Sequence, residues 1–156
     1  MRRTIIVLCV VAAAIAVWRW QGAEPARGGR ALFYDRIWID HIPANETDPV
    51  QIFVALTEEP VGLFQETTRW RGSFEQFLHE GSRDGEVRMR FPQTRSDDRV
   101  VYSAGACKAR GFDYCLELRG TSRGVKRYYS KRGWEVSGGL TAARAEAQLI
   151  ISTPPP

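Results

Sequence analysis

A small antiparallel β-barrel or sandwich of about eight short strands, closed by one short helix, is what this sequence predicts. Three observations predict it. Apolar and polar residues alternate with period two in several short segments, and turn residues separate those segments. Two cysteines, Cys107 and Cys115, fall on the same face of neighbouring segments. The one Ala-rich segment of helical character comes near the end. The up-and-down succession of hairpins favours the barrel over the sandwich. With 156 residues and 44% hydrophobic content, the chain can bury one real core.

The order starts with residues 1–20, MRRTIIVLCVVAAAIAVWRW, a hydrophobic helix by pattern. Arg2 and Arg3 precede an unbroken apolar run from Ile5 to Trp18. Ala14-Ile15-Ala16 supplies a signal-cleavage pattern. Trp18 and Trp20 flank Arg19 in the manner of an interfacial belt. The segment therefore reads as a cleaved signal peptide or as an anchor over residues 4–20. Either way the rest is expected to be exported, periplasmic or extracellular. Cys9 belongs to this leader, which leaves an even cysteine count in the domain. Residues 21–30, QGAEPARGGR, form a linker.

Residues 31–138 form the expected β domain. Ala31 to Ile42 is aromatic and β-branched and predicts a strand, with a bulge or two-sided burial behind its imperfect alternation. Pro43 to Pro49 is a loop. Val50 to Thr57 predicts a strand with Ile52, Val54 and Leu56 inward and Phe53 on the other side. Val61 to Trp70 and Ser73 to Glu80 read as two strands around Arg71-Gly72. Trp70, Phe74, Phe77 and Leu78 also fit a helical stripe, but Thr67-Thr68 and the β-rich neighbours favour strands. Gly81 to Gly85 is a turn. Glu86 to Phe91 alternates cleanly, with Val87, Met89 and Phe91 inward and Glu86, Arg88 and Arg90 outward. Pro92 ends it, and Thr94 to Asp98 is a polar turn.

Arg99 to Gly120 predicts a hairpin. Phe112, Tyr114, Leu116 and Leu118 share one face, with Cys115 on the other. In the first arm Tyr102, Ala104 and Ala106 face inward and Cys107 outward, around a Lys108-Ala109-Arg110-Gly111 turn. Setting Cys107 opposite Cys115 brings Ala106 to Leu116, Ala104 to Leu118 and Tyr102 to Gly120. An exported domain favours the disulfide, and two cysteines alone make a poor zinc site. Val125 to Ser130 and a short Trp134 to Val136 are the last strands. Residues 139–152 predict a short helix, and 153–156 a Pro tail.

Such an outline is similar, at the level of fold, to the calycins, the lipocalin and fatty-acid-binding barrels. The Gly-x-Trp signature of lipocalins is missing, since Trp38 follows Arg36-Ile37.

Catalytic motifs are not evident. The sequence holds no G-x-S-x-G, H-E-x-x-H, P-loop or dinucleotide fingerprint. Asp40 and His41 are adjacent on an expected strand, so their side chains should diverge. No metal, cofactor or enzymatic activity is expected. Net charge is +4, but residues 1–30 hold all of it, with five arginines against Glu24. Beyond them the charges balance, which argues against nucleic acid. Ala31 to Glu66 is acidic by six charges. Arg119, Arg123, Lys126, Arg127, Lys131 and Arg132 run without an intervening acid. They form either a basic face for anionic headgroups or an acidic partner, or the complement of the acidic first strand in a closed barrel.

Two functions compete. One is a carrier of a small apolar or amphipathic ligand, walled by Val87, Met89, Phe91, Tyr102, Tyr114, Leu116 and Trp134. The other is an envelope protein that acts through its surface, with another envelope protein as partner. The membrane is engaged through the N-terminal segment in both. A Cys107→Ser variant is expected to lose about 2–3 kcal/mol of stability, because the cross-link closes only a short loop. An unchanged melting temperature under non-reducing conditions would count against the staple.

Overall fold

The computed structural model describes residues 29–152. The expected leader over 1–20, the linker up to residue 28 and the tail over 153–156 lie outside the described residues. Eight antiparallel strands close into a barrel: β1 (Trp38–Ile39), β2 (Val50–Ala55), β3 (Val61–Thr67), β4 (Gly72–Arg83), β5 (Glu86–Phe91), β6 (Ser96–Ala109), β7 (Phe112–Arg119) and β8 (Arg127–Ser130). Each strand pairs with the next in sequence. The ring closes where Ile39 of β1 pairs with Tyr129 of β8. A short α1 (Arg30–Phe33) precedes the barrel, and α2 (Gly139–Ser152) follows it.

Alternation decides β3, β4 and β5. In β4, Phe77 is buried while Phe74 and Leu78 are exposed, so these side chains occupy opposite faces and no helical stripe forms. Val87, Met89 and Phe91 of β5 point inward and are fully buried. β4 runs further than expected, through Arg83, and leaves Asp84 and Gly85 as the turn to Glu86.

The expected strand over 31–42 shrinks to Trp38–Ile39. Its front half is α1, which places Leu32 and Phe33, with Tyr34 after them, in the inner core. Two-sided burial of aromatic residues had no alternation to betray a helix this short. The sides of β2 are the reverse of the expected ones. Phe53 fills the barrel, whereas Ile52, Val54 and Leu56 form an outer cluster with Ile39, Leu63 and Tyr129. Ala143, Ala147 and Ile151 of α2 cover that cluster, and the small alanines let the helix approach closely. β2 is therefore apolar on both faces, and period two alone cannot say which face is the interior.

The hairpin and its disulfide form, with a different register. Tyr102 pairs with Leu118, Ala104 with Leu116 and Ala106 with Tyr114, a shift of two residues that keeps the faces of these six. Gly105, not Cys107, lies directly opposite Cys115. A bulge between Ala106 and Ala109 carries Cys107, and the Cys107 and Cys115 Cα atoms come to 5.6 Å. The cause is the turn. Arg110 and Gly111 both have positive φ, 54° and 79°, so the connection is a tight two-residue turn and not a four-residue one. At this tip Phe112 leaves the inner face and stacks on Tyr129, with ring centroids 5.2 Å apart.

β8 is Arg127–Ser130, two residues shorter at its start than the expected strand. The expected strand over 134–136 is only a bridge. Arg36 pairs with Glu135, and the Ile37 amide donates to the Trp134 carbonyl at 3.0 Å. Trp134 consequently joins the outer cluster.

Gly62 shows how tightly the ring is packed. It sits between Ala55 and Phe77, and a Cβ there would fall within the Phe77 ring. Gly62→Ala is expected to cost about 1–3 kcal/mol by overpacking, read as a lower urea midpoint with an unchanged slope.

Candidate interaction surface

The interior is occupied by the chain's own rings. Phe53 lies 5.1–5.9 Å from Phe64, Phe77 and Tyr128 and 5.4 Å from Phe33, centroid to centroid. Phe91 closes the set against Phe77 at 5.7 Å. At the α1 end, Phe33 stacks on Tyr102 at 3.9 Å and accepts a hydrogen bond from the Trp38 indole through its carbonyl. Of the expected ligand wall, Val87, Met89, Phe91, Tyr102 and Leu116 belong to this packed core, and Tyr114 is half-buried against it. Trp134 does not join them; it lies outside, edge-on to Phe112 at 6.0 Å, because β8 ends four residues before it.

Two polar side chains of the interior, Tyr128 and His79, find partners close by. The Val125 amide donates to the Tyr128 hydroxyl at 3.0 Å, and burial pushes that hydroxyl's pKa far up, so it stays protonated. His79 donates through Nε2 to the Leu56 carbonyl at 2.7 Å beneath the Tyr34 ring. Burial pulls its pKa below the usual 6.5, although the Leu56 bond and Asp35 act in the opposite sense.

His41 corrects an expectation. β1 ends at Ile39, so Asp40 and His41 leave the strand and their side chains converge. Nδ1 stands 2.9 Å from Asp40 and Nε2 stands 3.2 Å from Asp48. The pair ties the β1–β2 loop to the strand end. Among the described residues no group of three or more His, Cys, Asp or Glu side chains is placed to hold a metal ion.

The expected basic run divides. Arg123 is a strut: Nε reaches Glu75 at 3.0 Å, Nη2 reaches Thr94 at 2.7 Å and Ser96 at 2.8 Å, and the guanidinium lies 3.8 Å over Phe91. Its carboxylate partner Glu75 raises its pKa further. Lys131 packs over Phe112 and Trp134 at 5.7 and 6.0 Å. Lys126 and Arg132 are exposed. Arg119 and Arg127 point outward and share Glu117. Barrel closure does set β8 beside β1, but the basic strand does not meet the acidic one. Arg127 turns to β7, while Asp40 and Asp48 hold His41 and Asp35 caps the Thr57 amide at 2.8 Å. Arg36, the one base in the acidic stretch, is buried between Glu135, the Lys131 carbonyl at 2.8 Å and the Tyr114 ring at 4.5 Å.

What the barrel assembles instead is an arginine wall. Arg88 and Arg90 of β5, Arg99 of β6, Arg119 of β7 and Arg127 of β8 all point to solvent. Arg88 lies directly across the ladder from Arg99, a like-charge pair that costs stability. Asp97 is shared by Arg88 at 3.2 Å and Arg90 at 3.6 Å, and Glu80 meets Arg90 at 3.5 Å. Arg83 and Arg99 have no carboxylate partner among the described residues. With Glu80, Glu86 and Arg88 they line an open depression of about 540 Å³. Leu78 and Val101, 42% and 48% exposed, stand among these charges. Sequence reading set Arg88 and Arg90 outward. It missed the wall, because only the β5–β6 register brings Arg99 beside them.

No family model, curated protein or solved structure matches this chain. 

His79 yields a pH test. A histidine whose folded pKa is lowered stabilises the fold fully above the unfolded value of about 6.5, and that contribution is lost as pH falls below it. The melting temperature is therefore expected to be lower at about pH 5 than at about pH 7.5, and His79→Gln to flatten that part of the profile.

Proposed function

We propose that this chain is an exported, non-catalytic β-barrel module that works through its outer wall and carries no small molecule inside. It is held at a membrane by residues 4–20 or released by signal cleavage. The observation that supports the surface reading is the aromatic filling of the barrel. Rings from α1, β1, β2, β3, β4, β5 and β8 meet at van der Waals distances where a carrier would keep space for cargo. Support for export comes from the apolar leader and from the Cys107–Cys115 disulfide, since reducing compartments seldom keep one. The wall supplies what an interaction surface needs: exposed arginines in excess of their carboxylates, with exposed Leu78 and Val101 among them.

Native mass spectrometry of the protein purified from its own host envelope tests this. The expected spectrum is the bare chain. A small molecule retained at one copy per chain would overturn the surface reading in favour of the carrier, with Val87, Met89, Phe91 and Leu116 as its wall.

A further inference from the structure

From the charges on the wall and the point where the chain enters the barrel, we infer that the arginine wall docks on anionic lipid headgroups of the membrane that holds residues 4–20. This rests on the surface-acting reading in its anchored form. Arg83, Arg88, Arg90, Arg99, Arg119 and Arg127 on the outer side of β4–β8 outnumber the carboxylates that stand among them, Glu80, Glu86, Asp97 and Glu117. The Arg88–Arg99 pair repels across the ladder, and neither the fold nor the core requires arginine at these solvent-facing positions. An external anion relieves that repulsion. Guanidinium forks suit phosphate oxygens because two parallel N–H donors meet two acceptors.

The entry point selects the membrane as the occupant. The Gly29 amide donates to the Ala104 carbonyl of β6 at 3.0 Å, beyond the end of β5 and beside Asp84 of the β4–β5 turn. Arg83 immediately precedes that turn. The chain thus joins the barrel beside the β4–β5 turn, next in sequence to Arg83, which lines the depression together with Arg88 and Arg99. From Trp20 to Gly29 a fully extended chain reaches at most about 32 Å. A domain of this size has a radius of gyration of about 14 Å, so the tether keeps the wall within about one barrel of the bilayer. Such a tether raises the local concentration of headgroups far above that of a diffusing acidic protein. Leu78 and Val101 give the wall apolar side chains for the headgroup layer.

The test uses the full chain reconstituted into vesicles, in a Cys9→Ser background. A fluorophore on Val101→Cys reports contact with quencher-labelled lipid, and one on Leu149→Cys, an exposed position of α2, serves as the off-wall reference. Vesicles are neutral phosphatidylcholine, with or without about 30% phosphatidylglycerol. The expected result is quenching at position 101 and not at 149, only in anionic vesicles, and its loss in about 0.5 M salt. Arg88→Gln with Arg99→Gln is expected to weaken it at least about tenfold while far-UV circular dichroism stays unchanged. Equal quenching in neutral vesicles overturns the inference, because charge then plays no part. Absence of quenching in both, with the chain still floating with the vesicles, overturns it too and points to an acidic protein at the wall. Either failure leaves the native-mass result, and with it the surface reading, intact.

Discussion

Eight strands closed on themselves enclose a fixed volume, and in this chain aromatic rings fill it. Trp38, Phe53, Phe77 and Phe91 are all buried to within about one per cent, and each touches another ring of the set or the α1 segment. Burying a side chain of that size contributes about 2–3 kcal/mol. The rest of the structure follows from this filling. Gly62 must lack a side chain because Phe77 lies over it. Ala55 and Ala104 belong to the same buried cluster as these rings. α1 exists to carry Phe33 onto Tyr102 and stop one end of the ring.

Two buried or half-buried arginines hold the strand that closes the ring. Arg123 stands just before β8 and binds Glu75 together with Thr94 of the β5–β6 turn and Ser96 at the start of β6. Arg36 stands near the far end of β8, with Ser130 and Lys131 as partners. β1 and β8 themselves share a single pairing, Ile39 with Tyr129. Such a short ladder supplies few backbone hydrogen bonds. Charge-assisted bonds at both ends, each worth about 1.5–3 kcal/mol, supply the remaining constraint. The second layer, α2 over Ile52, Val54 and Leu63, shields the same quarter of the barrel from outside.

Where one face was polar, the sequence was legible. β5 reads off its alternation without ambiguity, and the cysteine pair reads off its shared face. Where both faces were apolar, it was not. β2 shows the same alternation whether Phe53 or Ile52 points inward; the choice depends on α2, some ninety residues later, which lends the outer side its cover. The strand assigned to 31–42 failed for a related reason: Leu32 and Phe33 of α1, Tyr34 and Trp38 are all buried, with no exposed residue alternating among them to mark a face. The register of the cysteine hairpin depended on Arg110 adopting a positive φ, which nothing in the residue type announces. The basic run misled because linear proximity is not spatial proximity. Arg123 and Lys131 turn to internal partners a few residues from Arg119 and Arg127, which do not.

Charge on a closed barrel therefore has to be judged by ladder position. A residue that faces inward must find a partner, as Arg123 does, or the fold fails. A residue that faces outward carries no such obligation, so its charge is under no constraint from packing. Arg99 is the informative case. Its neighbour across β5 is Arg88, its neighbours along the same face of β6 are Asp97 and Val101, and Asp97 is already committed to Arg88 and Arg90. Folding alone would favour a carboxylate at that position, since it would bridge two arginines and remove a repulsion. An arginine there raises the positive potential of the wall at the expense of the ladder. On the proposed reading, that cost finds its counterpart outside the barrel, in the surface the wall engages.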